Sequence, residues 1–151
     1  IVTGLVGSEM CIRDRYCADI SRTFVCGNDF NNNQKMLYSM SLEQINHNSN
    51  LIKADMSFKE FTEKSWKLPE EYYGNRYSVM VHGIGLCDEW PSIRYPTDGG
   101  DKSGRFLKNM TITVESYIGK VGGKEGVKLE QQYLVGDNGL ELMSHHPLED
   151  I

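Results

Sequence analysis

Two glutamates near the C-terminal end of the chain have the spacing of a cross-strand pair. Glu115 and Glu130 each lie in a run of β-forming residues, and the midpoint between them falls between Gly122 and Gly123. A symmetric hairpin that reverses at this point places the two carboxylates opposite each other on one face. Because like charges opposed across a strand pair destabilise it, a bound metal cation is the simplest compensation. The alternative is two solvated glutamates on a wet sheet face.

A histidine and an aspartate add to this carboxylate pair. His82 lies between an apolar run and a glycine that lets the backbone turn tightly. Asp19 is an acidic residue in a run of β-formers, where a charge tolerates burial only if it is paired or metal-bound. Taken alone, His82 is more typical of a hydrogen-bonded core histidine. Together with Glu115 and Glu130, the two residues form a donor set that suits iron, manganese, cobalt or zinc, often as a metal pair.

The strands that must position these side chains follow from residue type and alternation. Residues 17–26 predict a strand that ends at a glycine turn, and residues 77–81 predict a short strand that leads to His82. Residues 111–118 and 127–135 alternate in the manner of paired strands. Each of the four candidate metal ligands therefore lies on a strand or at the end of one.

Two helices and one long loop complete the predicted organisation. Residues 34–51 have apolar residues near helical spacing, and the asparagines before them are candidate N-caps. A second helix begins at Ser57, which forms a capping box with Glu60, and ends at the Leu68–Pro69 pair. Residues 87–105 predict an irregular connection, and loops of that length are typically functional or disordered.

Composition limits the class of protein. The chain has 151 residues, 39% of them hydrophobic and 25% charged, which is enough for one globular domain with a core. A net charge of -5 argues against a nucleic-acid partner, and no apolar run is long enough to cross a membrane. The four cysteines have neither CxxC spacing nor a dense framework, so we expect reduced thiols in a cytoplasmic protein.

The first fifteen residues differ from the rest. Residues 4–15, GLVGSEMCIRDR, resemble the translation of sequencing-adapter DNA. We therefore expect residues 1–15 to be an artefactual segment and residues 16–151 to be the fold. Read from residue types alone, the segment is a strand followed by a turn, and a genuine N-terminal strand is the alternative. We expect the chain to be a fragment of a longer protein in either case.

Four segments, in order, resemble the metal motifs of the pita-bread family of metalloenzymes. They are DISRTF from Asp19, HGIG from His82, TVE ending at Glu115, and VKLE ending at Glu130. That family includes creatinase, prolidase, Xaa-Pro aminopeptidase and methionine aminopeptidase, and the resemblance covers residues 16–151. It implies an α+β pita-bread fold, incomplete at its N-terminus, with these four residues as ligands of a two-metal site.

The resemblance also implies what the chain lacks. It places two further aspartates twelve and ten residues before Asp19, where this sequence has Gly7 and Glu9. The N-terminal domain that covers the active site in the family, and helps to form its homodimer, is missing as well. We therefore expect the fragment to be inactive and the full-length protein to be an active homodimer.

The stretch after His82 indicates a branch of the family. The peptidases carry a second histidine there, in a His-Glu-Pro context, whereas this chain reads LCDEWP. The strings HGIGLCDEWP, ESYIG and GGKEGVKLEQQ are similar to the family's lyases for dimethylsulfoniopropionate (DMSP), which are not hydrolases. This implies iron as the metal, Asp88 as the catalytic base and Tyr77 in the substrate pocket. For Asp88, the alternative is a loop aspartate that caps its own backbone.

The chemistry of a DMSP lyase is consistent with these residues. A metal that binds the substrate carboxylate stabilises the negative charge that develops when the adjacent carbon loses a proton. The sulfonium group is a cation, so Tyr77 and Trp90 are candidates to bind it through cation–π contacts, with ordinary packing as the alternative. Two other functions remain open: a creatinase-like or Xaa-Pro peptidase-like metallohydrolase, and a metal-free binding paralogue.

Overall fold

The computed structural model describes residues 5–13, 15–27, 29–87, 89–100 and 102–148, with side chains from Arg15 onward. The helices and strands of these residues are, in chain order, β1 (Leu5–Arg13), β2 (Tyr16–Thr23), α1 (Asn32–Leu51), α2 (Phe58–Lys64), α3 (Glu70–Tyr73), β3 (Val79–Gly83), β4 (Ser92–Arg94), β5 (Thr111–Gly119), β6 (Gly126–Val135) and β7 (Leu140–Leu142). The strands form one antiparallel sheet in the order β1-β2-β6-β5-β3-β4, and β7 pairs with β6. The predicted α+β class is confirmed.

The sheet has one apolar and one polar face. On β5, Val114 and Ile118 point to the side that α1 covers, and both are fully buried. Thr113, Glu115 and Tyr117 alternate with them and point to the other side. Thr113, Glu115 and Tyr117 of β5 therefore share the face opposite α1, whereas the Ser116 hydroxyl points to α1.

Helix α1 is fixed at its start and along its buried side. The Asn31 side chain accepts a hydrogen bond from the backbone N–H of Gln34, and the backbone N–H of Asn31 donates to the Gln34 side-chain oxygen, which completes a capping box. On the buried side, Gln44 donates to the Tyr95 hydroxyl at 2.6 Å and accepts from the Ser116 hydroxyl at 2.6 Å. Gln44 thus ties α1 to β5 next to Glu115.

The predicted elements are found, with shifted ends. Helix α2 begins after Ser57, whose hydroxyl accepts from the Glu60 N–H, but it ends at Lys64 rather than at Leu68. Helix α3 and strand β7 were not predicted, and β4 lies inside the connection that we expected to be irregular. All three are four residues or shorter, so they contain too few residues for a hydrophobic period to be recognised. No helix in the described part of the chain is both long and apolar enough to span a bilayer.

The N-terminal segment pairs with the rest of the sheet. Strand β1 runs antiparallel to β2, with a register shift between Ser8 and Cys11. Arg15, in the turn that follows, has a positive φ of 75°. The strand-and-turn interpretation of this segment is therefore confirmed for its backbone, whereas the origin of its sequence stays a prediction.

Candidate metal centre

Four neighbouring strands bring the predicted ligands to one place. Glu115 on β5 and Glu130 on β6 are direct cross-strand partners, as the hairpin symmetry predicts. Strand β2, which carries Asp19, pairs with β6 at Glu130, and strand β3, which carries His82, pairs with β5. Because side chains opposite one another in a sheet share a face, this order collects all four on the polar face.

The donor atoms of these residues are close enough for a shared cation. One donor atom from each of Asp19, His82 and Glu130 lies within 4.8 Å of the other two. The His82 Nε2 is 3.2 Å from Oε1 of Glu130 and 3.7 Å from Oε1 of Glu115. Glu115 is outside the tightest set of three, but it faces the same imidazole.

Lys128 occupies the other side of the two glutamates. Its Nζ is 3.1 Å from Oε2 of Glu115 and 3.5 Å from Oε2 of Glu130. Each glutamate therefore presents Oε1 to His82 and Oε2 to the ammonium group. This arrangement provides part of the charge compensation that two opposed carboxylates require.

Hydrogen bonds from outside the donor set hold its members in place. The His82 Nδ1 is 3.0 Å from the carbonyl oxygen of Gly83, to which it can donate, and Nε2 is directed to the carboxylates. The Ser21 hydroxyl donates to Oε2 of Glu130 at 2.9 Å. The backbone N–H of Asp19 donates to the Gln132 side chain at 3.2 Å. Such contacts orient ligands before a metal binds.

Burial and mutual charge shift the pKa values of the cluster. Burial raises the pKa of Glu115 to about 8, and the negative charge of Glu130 adds to this effect. Burial likewise raises the pKa of Asp19 to about 6. Burial opposes protonation of His82, but its hydrogen bond to Glu130 and the charge of Glu115 outweigh it and raise the pKa to about 9. Glu130 keeps its charge: burial opposes ionisation, but contacts with His82 and Lys128 lower its pKa to about 2.

The residues fit a divalent metal ion. Oε1 of Glu115 is buried and has no hydrogen-bond partner among the described residues. A buried carboxylate oxygen without a partner is costly, and a cation at the centre of the cluster removes that cost. Three carboxylates and one imidazole are also a donor set that transition metals accept. The arrangement can therefore hold a metal ion, while the individual ligand roles stay predictions.

The other predicted site residues lie around this centre or outside the described residues. The Tyr77 ring lies 4.7 Å from the Lys128 Nζ, and its hydroxyl donates to Oε1 of Glu89 at 3.3 Å. Trp90 is 62% exposed and lines a separate cavity of about 630 Å³ with Glu89 and Arg94. Asp88 lies outside the described residues. The substrate-binding and base roles stay predictions.

Three residues of this environment were not predicted from the sequence: Lys128, Ser21 and Gln132. A signal for all three of them was present. Lys128 and Gln132 flank Glu130 at two residues on either side, and alternation places all three on one face of a strand. Ser21 has the same relationship to Asp19. Alternation alone, applied outward from each predicted ligand, would have identified these side chains as neighbours of the site.

Comparison with known proteins identifies one protein family, and the similar proteins are of two kinds, DMSP lyases and peptidases. The profile of metallopeptidase family M24 matches residues 5–137. The DMSP lyase DddP of Roseovarius nubinhibens is 34% identical over 97% of this chain and 32% of its own length, and that of Roseobacter denitrificans is 32% identical over 88% and 30%. The chain thus spans about a third of the length of these relatives.

Solved structures of peptidases share the fold. Prolidase from Pyrococcus furiosus superimposes with a TM-score of 0.74 at 27% identity, covering 91% of this chain and 39% of the prolidase. The Xaa-Pro dipeptidase from Bacillus anthracis gives a TM-score of 0.71 at 29% identity, covering 89% and 37%. These similarities confirm the predicted pita-bread fold, of which the chain contains a part.

Proposed function

The chain belongs to metallopeptidase family M24, and from this premise we propose that its full-length form is a metal-dependent lyase that cleaves DMSP to dimethyl sulfide and acrylate. The observation that carries the proposal is the 34% identity to a DMSP lyase along 97% of the chain. The stretch LCDEWP after the HGIG turn supports it, because this stretch has no histidine where the family's peptidases carry one.

Asp19, His82, Glu115 and Glu130 are the residues that would hold the metal. We propose iron, with manganese, cobalt or zinc as alternatives that the same donors accept. When bound, the metal supplies a Lewis acid that stabilises negative charge developing on the substrate carboxylate. Lys128 and Ser21 keep the glutamate oxygens oriented, and the Gly83 carbonyl orients the imidazole.

Proton removal is assigned to Asp88, which follows His82 by six residues. Asp88 takes the proton from the carbon beside the substrate carboxylate, and this carbon's electron pair forms the double bond of acrylate. The bond between the neighbouring carbon and sulfur breaks, and its electron pair leaves with sulfur as dimethyl sulfide. No oxidant, reductant or water is consumed. Because the transferred proton is weakly acidic, a carboxylate base can remove it only where the developing negative charge is stabilised nearby.

Headspace measurement of dimethyl sulfide tests the proposal. The full-length form is supplied with DMSP and compared with its Asp88→Ala variant and with Asp137→Ala, which removes an exposed aspartate paired with Lys108. We expect release from the unmodified protein and from Asp137→Ala, and a loss of two or more orders of magnitude for Asp88→Ala. Absence of release from a folded, metal-loaded protein would contradict the assignment.

A peptidase is the second candidate. The similarity in fold to prolidase and to Xaa-Pro dipeptidase favours it, since both were matched across about nine-tenths of this chain. Hydrolysis of a dipeptide with C-terminal proline, followed by the appearance of free proline, distinguishes the two functions. Turnover of this dipeptide without dimethyl sulfide release from DMSP would establish the hydrolase instead.

A further inference from the structure

We infer that the substrate lies in one orientation, with its carboxylate at Lys128 and its sulfonium group at the loop that carries Glu89 and Trp90. The inference rests on the proposed function for the identity of the substrate. It assigns to Lys128 a role in binding, which the sequence did not indicate, and it changes the role expected of Tyr77.

A cavity beside the metal centre has the charge that a carboxylate requires. It measures about 380 Å³ and is lined by Asn75, Arg76, Tyr77, Tyr117 and Lys128. Two of these five side chains are cations and none is an anion. Arg76 is paired with Asp98 and its guanidinium lies over the rings of Tyr73 and Tyr95, whereas Lys128 is the cation of this cavity that contacts the candidate metal ligands.

Lys128 has a donor left for such a ligand. An ammonium group has three N–H donors, and the contacts to Glu115 and Glu130 account for two of them. The Lys128 side chain is 21% exposed, so it is not sealed beneath those glutamates. A carboxylate in the cavity would therefore meet a fixed cation that is also in contact with two of the candidate metal ligands.

Tyr77 is poorly placed to bind a sulfonium group by cation–π contact. The Lys128 Nζ is 4.7 Å from the centroid of its ring, so one cation already occupies that contact. A sulfonium group at the same place would face the like charge of the ammonium. The Tyr77 ring instead forms a wall along which the carbon chain of the substrate can pass.

The hydroxyl end of Tyr77 lies next to groups that can bind a cation. Its hydroxyl donates to Oε1 of Glu89 at 3.3 Å, which connects the Lys128 cavity to the loop. Glu89 supplies a carboxylate, and the neighbouring Trp90 is 62% exposed, so its indole face is available. Arg94 lines the cavity of Trp90 as well, and its Nε donates to the Ser92 hydroxyl at 3.2 Å. Because the guanidinium repels a second cation, the sulfonium group is placed on the Glu89 and Trp90 side of this cavity. A zwitterion stretched along Tyr77 would thus meet a cation at one end and a carboxylate with an indole at the other.

Paramagnetic relaxation in the unmodified protein tests the orientation directly. The protein is loaded with Mn²⁺, and 3-(trimethylammonio)propanoate is added as a nitrogen analogue of DMSP. Because Lys128 contacts the candidate metal ligands, we expect the CH₂ next to the carboxylate to relax faster than the N-methyl protons. Equal relaxation of the two groups, or faster relaxation of the methyl protons, would overturn the inference.

Two single-charge probes and a set of variants test the residues. The probes are 3-(methylthio)propanoate, which keeps the carboxylate, and trimethylsulfonium, which keeps the cation. We expect Lys128→Met to weaken binding of the carboxylate probe at least tenfold, Lys128→Arg to retain most of it, and Trp90→Ala to weaken only trimethylsulfonium. Lys120→Met, which removes an exposed lysine paired with Glu71, is the matched control and should bind both probes normally.

The outcome for the orientation is separable from the outcome for the proposed function. Binding of the carboxylate probe that is unaffected by Lys128→Met refutes the inference even if dimethyl sulfide is released. Binding that depends on Lys128, without dimethyl sulfide release, preserves the carboxylate site and refutes the lyase. Metal content is measured for each variant; if Lys128→Met lowers it, the relaxation measurement on the unmodified protein decides.

Discussion

Glu115 and Glu130 lie directly opposite each other across strands β5 and β6, and both are almost completely buried. Two carboxylates in this position repel each other unless cations lie between or beside them. The protein places His82 against one oxygen of each glutamate and Lys128 against the other. The pair is thus flanked by one group that can accept a metal and one that carries a permanent positive charge.

Removal of one glutamate should abolish tight metal binding. In Glu115→Gln or Glu130→Gln, the amide contributes a neutral and weaker donor, so we expect at least a tenfold loss of affinity for Mn²⁺ or Fe²⁺. Isothermal titration calorimetry on the purified chain measures the effect. Glu63→Gln, at an exposed position of α2, is the control and should leave affinity unchanged. Equal affinity in all variants would show that these carboxylates do not hold the metal.

Metal binding should release protons at neutral pH. The pKa of His82 is raised to about 9 and that of Glu115 to about 8, so both groups carry a proton at pH 7 in the metal-free protein. A metal binds their deprotonated forms, and affinity should therefore rise with pH and level off above about 9. Titrations in two buffers of different ionisation enthalpy measure the released protons. An apparent binding enthalpy that is the same in both buffers would contradict the prediction.

Gly83→Ala should displace the loop that follows the histidine. A Cβ at this position would lie 2.0 Å from the backbone oxygen of Trp90, and the Gly83 N–H donates to the Pro91 carbonyl at 2.9 Å. The backbone must move to relieve this contact, at a cost of about 1–3 kcal/mol in the free energy of unfolding. Denaturant unfolding measures the loss, and a change in Trp90 fluorescence in a Trp66→Phe background reports the loop movement.

The control for the loop is Ser78→Ala, whose side chain is not required for the backbone hydrogen bond that Ser78 accepts from Tyr95. We expect this variant to keep both the stability and the Trp90 emission of the unmodified chain. Unchanged emission in Gly83→Ala would show that the loop does not depend on the absence of a side chain at this position.

Gln44→Ala should destabilise the contact between α1 and the sheet. The change leaves the hydroxyls of Tyr95 and Ser116 buried without the partner that each has now. Each orphaned group costs about 1–3 kcal/mol, so we expect a loss of about 2–4 kcal/mol in the free energy of unfolding. Urea denaturation measures it, with Ser39→Ala on the exposed side of α1 as the control. A loss as small as that of the control would show that the network contributes little.

The sequence by itself determined the local geometry of the glutamate pair and the start of α2. The spacing of Glu115 and Glu130 around two glycines fixed their pairing, because side chains alternate along a strand and a hairpin reverses at its turn. The cap at Ser57 depends on an atom three residues away, so it was visible in the sequence as well. For α1 the sequence offered the asparagines before residue 34 as candidates, and the structure selects Asn31. Features decided within a few residues can be read from residue order.

The tertiary structure decided what surrounds that pair. Strand order places Asp19 and His82 within reach of Glu130. The way the sheet brings side chains together also places Lys128 against the glutamates and Tyr77. Apart from those of Lys128 with the two glutamates of its own hairpin, these contacts join residues tens of positions apart, and no short-range pattern encodes the distance between them. The sequence supplied the chemical groups and their local spacing, whereas only the packing of β2, β6, β5 and β3 into one sheet assembled them into a centre with a cation on each side.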